Sequence, residues 1–151
     1  MSGGIIFGNK IIDIVFLSMM IAQMIKIFIP VLKGKKPEFS KLFETGGMPS
    51  SHSASVISLC TCIAIIYGTT SIYFAMTMVI ATIVMYDATG IRREAGRHAK
   101  ILNKIILSDL KLFKTKEFKE FKEFLGHTPL EVLGGMILGI LVPYMFGWYL
   151  V

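Results

Sequence analysis

Two histidines and one carboxylate in this chain have the spacing of a phosphate-handling site. His52 closes the run Gly46-Gly47-Met48-Pro49-Ser50-Ser51-His52, and His127 opens the run Gly126-His127-Thr128-Pro129-Leu130-Glu131. A third run, Tyr86-Asp87-Ala88-Thr89-Gly90-Ile91-Arg92-Arg93, supplies an acid and two cations. Phosphoryl transfer through a covalent intermediate needs a nucleophile, a proton donor for the leaving oxygen and fixed cations for the remaining oxygens. Histidine suits the first two roles near neutral pH. Glu131 lies four residues after His127, on the same helical face if the helix has begun there, where it can hold the imidazole tautomer and stabilise its cation. Arg92 and Arg93 can each grip phosphate through two parallel bonds. Ser50 or Ser51 can cap the helix that follows, which puts His52 in a first turn beside unsatisfied amides, an anion-binding geometry.

Each of these residues also has a plainer explanation. Thr128-Pro129-Leu130-Glu131 is a capping box with proline at the first helical position, which accounts for Glu131 by itself. His52 can be a histidine at a helix start, and His127 a loop residue before a cap. Asp87 lies about a turn before the arginines, and an acid in an apolar helix needs a partner, either Lys26 or an arginine. That pairing is either part of the chemistry or purely structural. What favours chemistry is that all three runs fall on one side of the chain's expected topology.

The topology follows from composition. The chain has 151 residues, 54% of them hydrophobic, with a mean hydropathy of +0.66. Apolar stretches at 11–32, 53–67, 72–85 and 130–151 reach or approach the roughly 20 residues that cross a bilayer. They predict an all-α, integral membrane four-helix bundle with helices at about 11–32, 51–68, 71–91 and 129–150. A cytoplasmic amphipathic insertion, 92–126, separates the last two. The first stretch is long and lacks an Ala-x-Ala site, so it is expected to stay as a helix and not be cleaved.

Of the sixteen lysines and arginines, fourteen lie between the first and second stretches or between the third and fourth. Four crossings put both loops on one side. The positive-inside rule makes that side cytoplasmic, in a multi-pass cell-membrane protein with both termini on the opposite side. Lysines near anionic headgroups explain the net charge of +6 without nucleic acid.

Other residues refine the expectation. Lys26 shares a face with Gln23, and either snorkels to the interface or turns inward as a phosphate ligand. Asp13, about 20 Å away along the same helix, is placed near the outer interface. Cys60 and Cys62 fall on different helix faces and read as apolar packing. Ile101, Leu102, Ile105 and Ile106 recur at helical spacing among cations, and Lys116–Phe124 is a threefold Lys-Glu-Phe repeat. Both suit amphipathic helices on the cytoplasmic surface, with His98 exposed. Gly134, Gly135 and Gly139 allow close helix contact. No cofactor is implied, and no His/Cys cluster has the spacing of a metal site.

Pro49-Ser50-Ser51-His52 resembles the Pro-Ser-Gly-His motif of the type 2 phosphatidic acid phosphatase superfamily. His127 with Glu131 is similar to its third motif, where a nucleophilic histidine precedes an acid by four. Lys26, Lys33 and Lys36-Pro37 resemble its first, Lys-x6-Arg-Pro. The three runs together look most like the divergent branch described as acid phosphatase/vanadium-dependent haloperoxidase-related, or YuiD-like, over about residues 20–140. The resemblance implies a metal-independent lipid phosphate phosphatase. In it His127 would be the nucleophile, His52 the general acid and Glu131 the orienting acid. Lys26, Ser50, Ser51, Asp87, Arg92 and Arg93 would surround the phosphate of a phosphorylated lipid. Phe121 stands where the third motif usually has arginine, so Arg92 and Arg93 are expected to supply that charge from another helix. Membrane members commonly have six helices, and a homodimer would complete the bundle. A headgroup binder or transporter using the same cations, without His127 as nucleophile, is the alternative.

Overall fold

A computed structural model describes residues 3–34, 36, 37, 46–109, 121 and 126–151. All regular structure among them is helical. Helix α1, Lys10–Phe28, starts at Asn9, whose side chain accepts from the amides of Ile11 and Ile12. Pro30 cannot continue it, because it lacks an N–H and its ring crowds the preceding turn. The chain tightens there into a 3-10 helix, Ile29–Lys33, where the sequence predicted helix through residue 32. Helix α2, Ser51–Tyr67, is capped by Ser50 and ends at Gly68. Helix α3, Ile72–Thr89, is capped by Ser71. The helix breaks at Gly90, and α4, Ile91–Asp109, follows at once. Arg92 and Arg93, placed from sequence at the end of the third apolar segment, therefore open α4. Helix α5, Pro129–Met145, carries the capping box, and α6 is the short Gly147–Leu150. A single segment over 129–150 was expected. Pro143 removes one rung of the ladder, and Phe146, before Gly147, leaves the helical conformation.

Helix α2 sits at the centre, packed on α1, α3 and α5, and α1 also touches α5. The α2–α5 approach is very close. A Cβ on Gly135 would lie 2.3 Å from the Ser50 carbonyl oxygen, and one on Gly139 would lie 2.6 Å from that of Ala54. Only glycine at these two positions lets the backbones meet, the small-residue packing of apolar bundles. Between α1 and α2 the hydroxyls of Ser18 and Ser58 bond at 2.9 Å.

Two apolar clusters fill the rest. Ile14, Cys62, Val142 and Leu150 form one; Ile57, Cys60 and Ala81 form the other. The two cysteines are buried and free, one in each cluster, as the Cys-x-Cys spacing implied.

Two helical stretches, Lys10–Val31 and Ile72–Ile106, are long and apolar enough to cross a membrane. Helices α2 and α5 are apolar and 17 residues long, or about 26 Å at 1.5 Å per residue. The outer face of α3 exposes Tyr73, Met76, Val79 and Ile83, and that of α5 exposes Leu133, Ile137 and Leu141. Asp13, expected near the outer interface, lies under a local cover. It is 5% exposed, covered by residues 5–7 and Tyr149. Residues 110–120 and 122–125, with most of the Lys-Glu-Phe repeat, lie outside the described residues, as do Lys35, Lys41 and the side chain of Lys33.

Candidate active site

The start of α2 is built from buried hydroxyls. Ser50 Oγ accepts from the Ser53 amide at 3.3 Å and from the Ser53 hydroxyl at 3.1 Å. The Ser50 amide donates to the Glu131 carbonyl at 2.9 Å. That bond ties the first turn of α2 to the first turn of α5, so the two histidine-bearing ends cannot drift apart. Lys26 turns inward and does not snorkel. It is 2% exposed, and its Nζ donates to Ser51 Oγ at 3.4 Å.

His127 is held from three sides. The residue before it, Gly126, has φ of +84°, and a Cβ there would lie 2.4 Å from the Arg93 amide nitrogen. Both facts demand glycine. The His127 amide donates to the Ala88 carbonyl at 2.8 Å, beside the break between α3 and α4. The ring is 2% exposed, and its Nδ1 lies 3.2 Å from Glu131 Oε2. The same oxygen accepts from the Thr128 amide at 3.0 Å, while Thr128 Oγ1 accepts from the Glu131 amide at 3.4 Å. Glu131 therefore caps α5 and orients the imidazole at once.

With Nδ1–H donated to Glu131, Nε2 presents a lone pair. It has no hydrogen-bond partner among the described residues although it is buried. A buried polar atom left unpaired is costly, so each instance needs a reason. Burial depresses the His127 pKa below the usual histidine value. The Glu131 carboxylate opposes this, and the charges of Lys26 and Arg92 add to it.

The His127 ring borders a small pocket shared with His52, Val84, Asp87, Ala88, Arg92 and Gly126, about 270 Å³ of atom-free space with its mouth included. The His52 and His127 ring centroids are 6.0 Å apart, at 62° to one another. Arg92 Nε bonds Asp87 Oδ2 at 2.6 Å at the pocket's edge, where both side chains are partly exposed. Of the two partners open to Asp87 from sequence, the arginine is the one it meets.

The structure thus gathers His52, His127, Asp87 and Arg92 around one pocket, with Glu131 behind His127. Lys26 and Ser51 form a bonded pair beside it, and Ser50 is a buried cap. Arg93 contributes its backbone, against Gly126, and its side chain is not among the pocket's walls. Three contributors had no role from sequence: Gly126, the Ala88 carbonyl and Asn103. The Asn103 side chain donates to the Phe121 carbonyl at 2.9 Å and accepts from the Phe121 amide at 3.0 Å, which fastens α4 to the chain leading to His127. Glycine immediately before the histidine was a readable signal. An asparagine inside a basic helix was not.

The profile of the Divergent PAP2 family matches residues 7–142. A protein of Bacillus subtilis strain 168, called uncharacterized membrane protein YuiD, is 40% identical over 139 residues, covering 85% of this chain and 87% of its own. No solved structure matches the chain.

Proposed function

The chain belongs to the Divergent PAP2 family, and from that premise we propose that it is a membrane lipid phosphate phosphatase acting through a phosphohistidine. The observation that carries the reading is the buried, unpartnered His127 Nε2, with its other nitrogen held by Glu131 and with His52 and Arg92 across the pocket. A buried ring nitrogen kept free of bonds beside a pocket is what a nucleophile needs.

In the first step Nε2 attacks phosphorus and the bond to the lipid oxygen breaks. His52 gives that oxygen its proton. In the second, His52 takes a proton from water as the water attacks phosphorus. The N–P bond breaks, and inorganic phosphate leaves. Glu131 stabilises the positive charge that His127 acquires. Arg92, Lys26 and the amides at the start of α2 balance charge on the phosphoryl oxygens. Asp87 fixes the guanidinium of Arg92 at the mouth.

The chain would sit as four membrane helices, α1, α2, α3 and α5, with the pocket at the cytoplasmic headgroup level and the termini on the far side. The relative's designation as a membrane protein and the two long apolar helices support this. A second copy of the chain would supply further helices to the bundle. Phosphatidic acid, phosphatidylglycerophosphate and prenyl phosphates all place their phosphate at the right depth.

The test is phosphate release by purified protein in detergent from such a panel, beside His127→Ala. Release that falls at least about a thousandfold in the variant is the expected result. Full turnover by His127→Ala would falsify the mechanism. No release from any lipid, with a headgroup still bound, would favour a binding or transport protein built on the same cations.

A further inference from the structure

Helix α4 has three distinct faces. At 3.6 residues per turn, Gly96, Ala99 and Asn103 fall on one side, and all three are buried. Arg92 shares that side and lines the pocket. Arg93, Arg97, Lys100 and Lys104, spaced by four, three and four residues, form a second, basic stripe. Arg97 also pairs with Glu94, and both side chains remain more than half exposed. The third side is apolar and open. Ile91, Ile101, Leu102 and Ile105 are 67%, 56%, 46% and 45% exposed, with Glu94 and His98 nearer its start.

An apolar stripe of this kind left in water is a standing cost, and it marks a surface that something covers. What covers it is indicated by its neighbour. Four cations in a row beside exposed isoleucines are the pattern of a helix lying in an anionic headgroup layer. Position agrees. Only Gly90 separates α4 from α3, whose exposed outer face is apolar along its length.

We propose that α4 docks on anionic lipid, with Ile101, Leu102 and Ile105 in the acyl boundary and Arg93, Arg97, Lys100 and Lys104 on the headgroup phosphates. Arg92 belongs to the same helix, so one element touches both the lipid surface and the pocket. The docking itself does not depend on the phosphatase reading.

The experiment is amide hydrogen exchange across α4 in the full chain, reconstituted in nanodiscs. One set is phosphatidylcholine alone, the other phosphatidylcholine mixed with phosphatidylglycerol. Exchange should be roughly tenfold slower in the anionic discs. High salt, or the combined changes Arg97→Glu, Lys100→Glu and Lys104→Glu, should erase the difference. None of the three lines the pocket. Equal exchange in both discs overturns the proposal. Protection that ignores lipid charge and grows with the number of chains per disc overturns it too, and points to a second copy on this face. No arm reads turnover, so a chain that releases no phosphate leaves the result interpretable.

Discussion

At one end of the bundle Asp13 is buried, yet its oxygens are well supplied. Oδ1 accepts from the Phe7 amide at 2.8 Å; Oδ2 accepts from the Ile6 amide at 3.2 Å and the Tyr149 hydroxyl at 2.6 Å. Tyr149 in turn accepts from the Ile5 amide at 2.8 Å, and Lys10 stands 5.7 Å over its ring. At the other end His127 is just as buried, but one ring nitrogen has no partner. The first cluster is closed and links residues near the two ends of the described chain. The second keeps an open valence beside a pocket. Folding favours closing such valences, so an open one held by this many contacts is where chemistry should be sought.

The sharpest way to separate the two roles of Glu131 is Glu131→Gln. Glutamine still serves a capping box, so thermal stability should hardly change. The charge that stabilises the His127 cation is lost, and phosphate release should fall roughly a hundredfold. Turnover assays and melting curves on the same preparation check both halves. A parallel loss of stability and rate would mean that Glu131 acts only as a cap.

The asymmetry between the two ends was only half legible in the sequence. His52, His127, Glu131, Asp87 and Arg92 announced themselves by residue type and spacing, because the plain explanations available to each one singly do not account for three such runs on one side of the expected topology. Lys26 was ambiguous, since snorkelling and turning inward look alike until α2 packs beside it. The Asp13 cluster was not visible. Its donors are three backbone amides and a tyrosine 136 residues away, none of which leaves a pattern. Backbone partners hid the support of His127 in the same way. The Ala88 carbonyl is free for it only because the helix breaks at Gly90, and a helix break after a long apolar run is hard to place from composition.

Gly126→Ala should break the open end structurally. It forces a left-handed conformation on alanine and drives a Cβ to 2.4 Å from the Arg93 nitrogen. A loss of about 3 kcal/mol in stability is expected, with turnover reduced because His127 shifts. Denaturation midpoints measure the first effect. An unchanged midpoint would mean that the Gly126 contact with α4 is loose.

The depressed pKa of His127 makes a smaller, signed prediction. The nucleophile must be neutral, so the acid limb of kcat/KM should lie below the usual histidine value of 6.5, while the need for a protonated His52 makes the rate fall separately toward high pH. Stability runs the same way. A histidine whose folded pKa lies below its unfolded one contributes fully above the unfolded value. That contribution is lost as pH falls from there through the folded pKa. Glu131→Gln removes the carboxylate charge that raises the His127 pKa, so the acid limb of the rate profile should move to lower pH still. A shift to higher pH would show that burial does not dominate.

Tyr149→Phe should have the smallest effect, and it tests the closed end. The change removes one donor to Asp13 and the acceptor of the Ile5 amide, while the Ile6 and Phe7 amides still hold the carboxylate. Amides at residues 5–7 should exchange faster, and the melting midpoint should fall by roughly 3 °C. Phosphate release should be unchanged in both kcat and KM. Tyr149 lies with Asp13, which is thirteen residues up α1 from Lys26, or about 20 Å. A change in KM would mean that the two ends communicate along α1, and that the closed cluster tunes the open one.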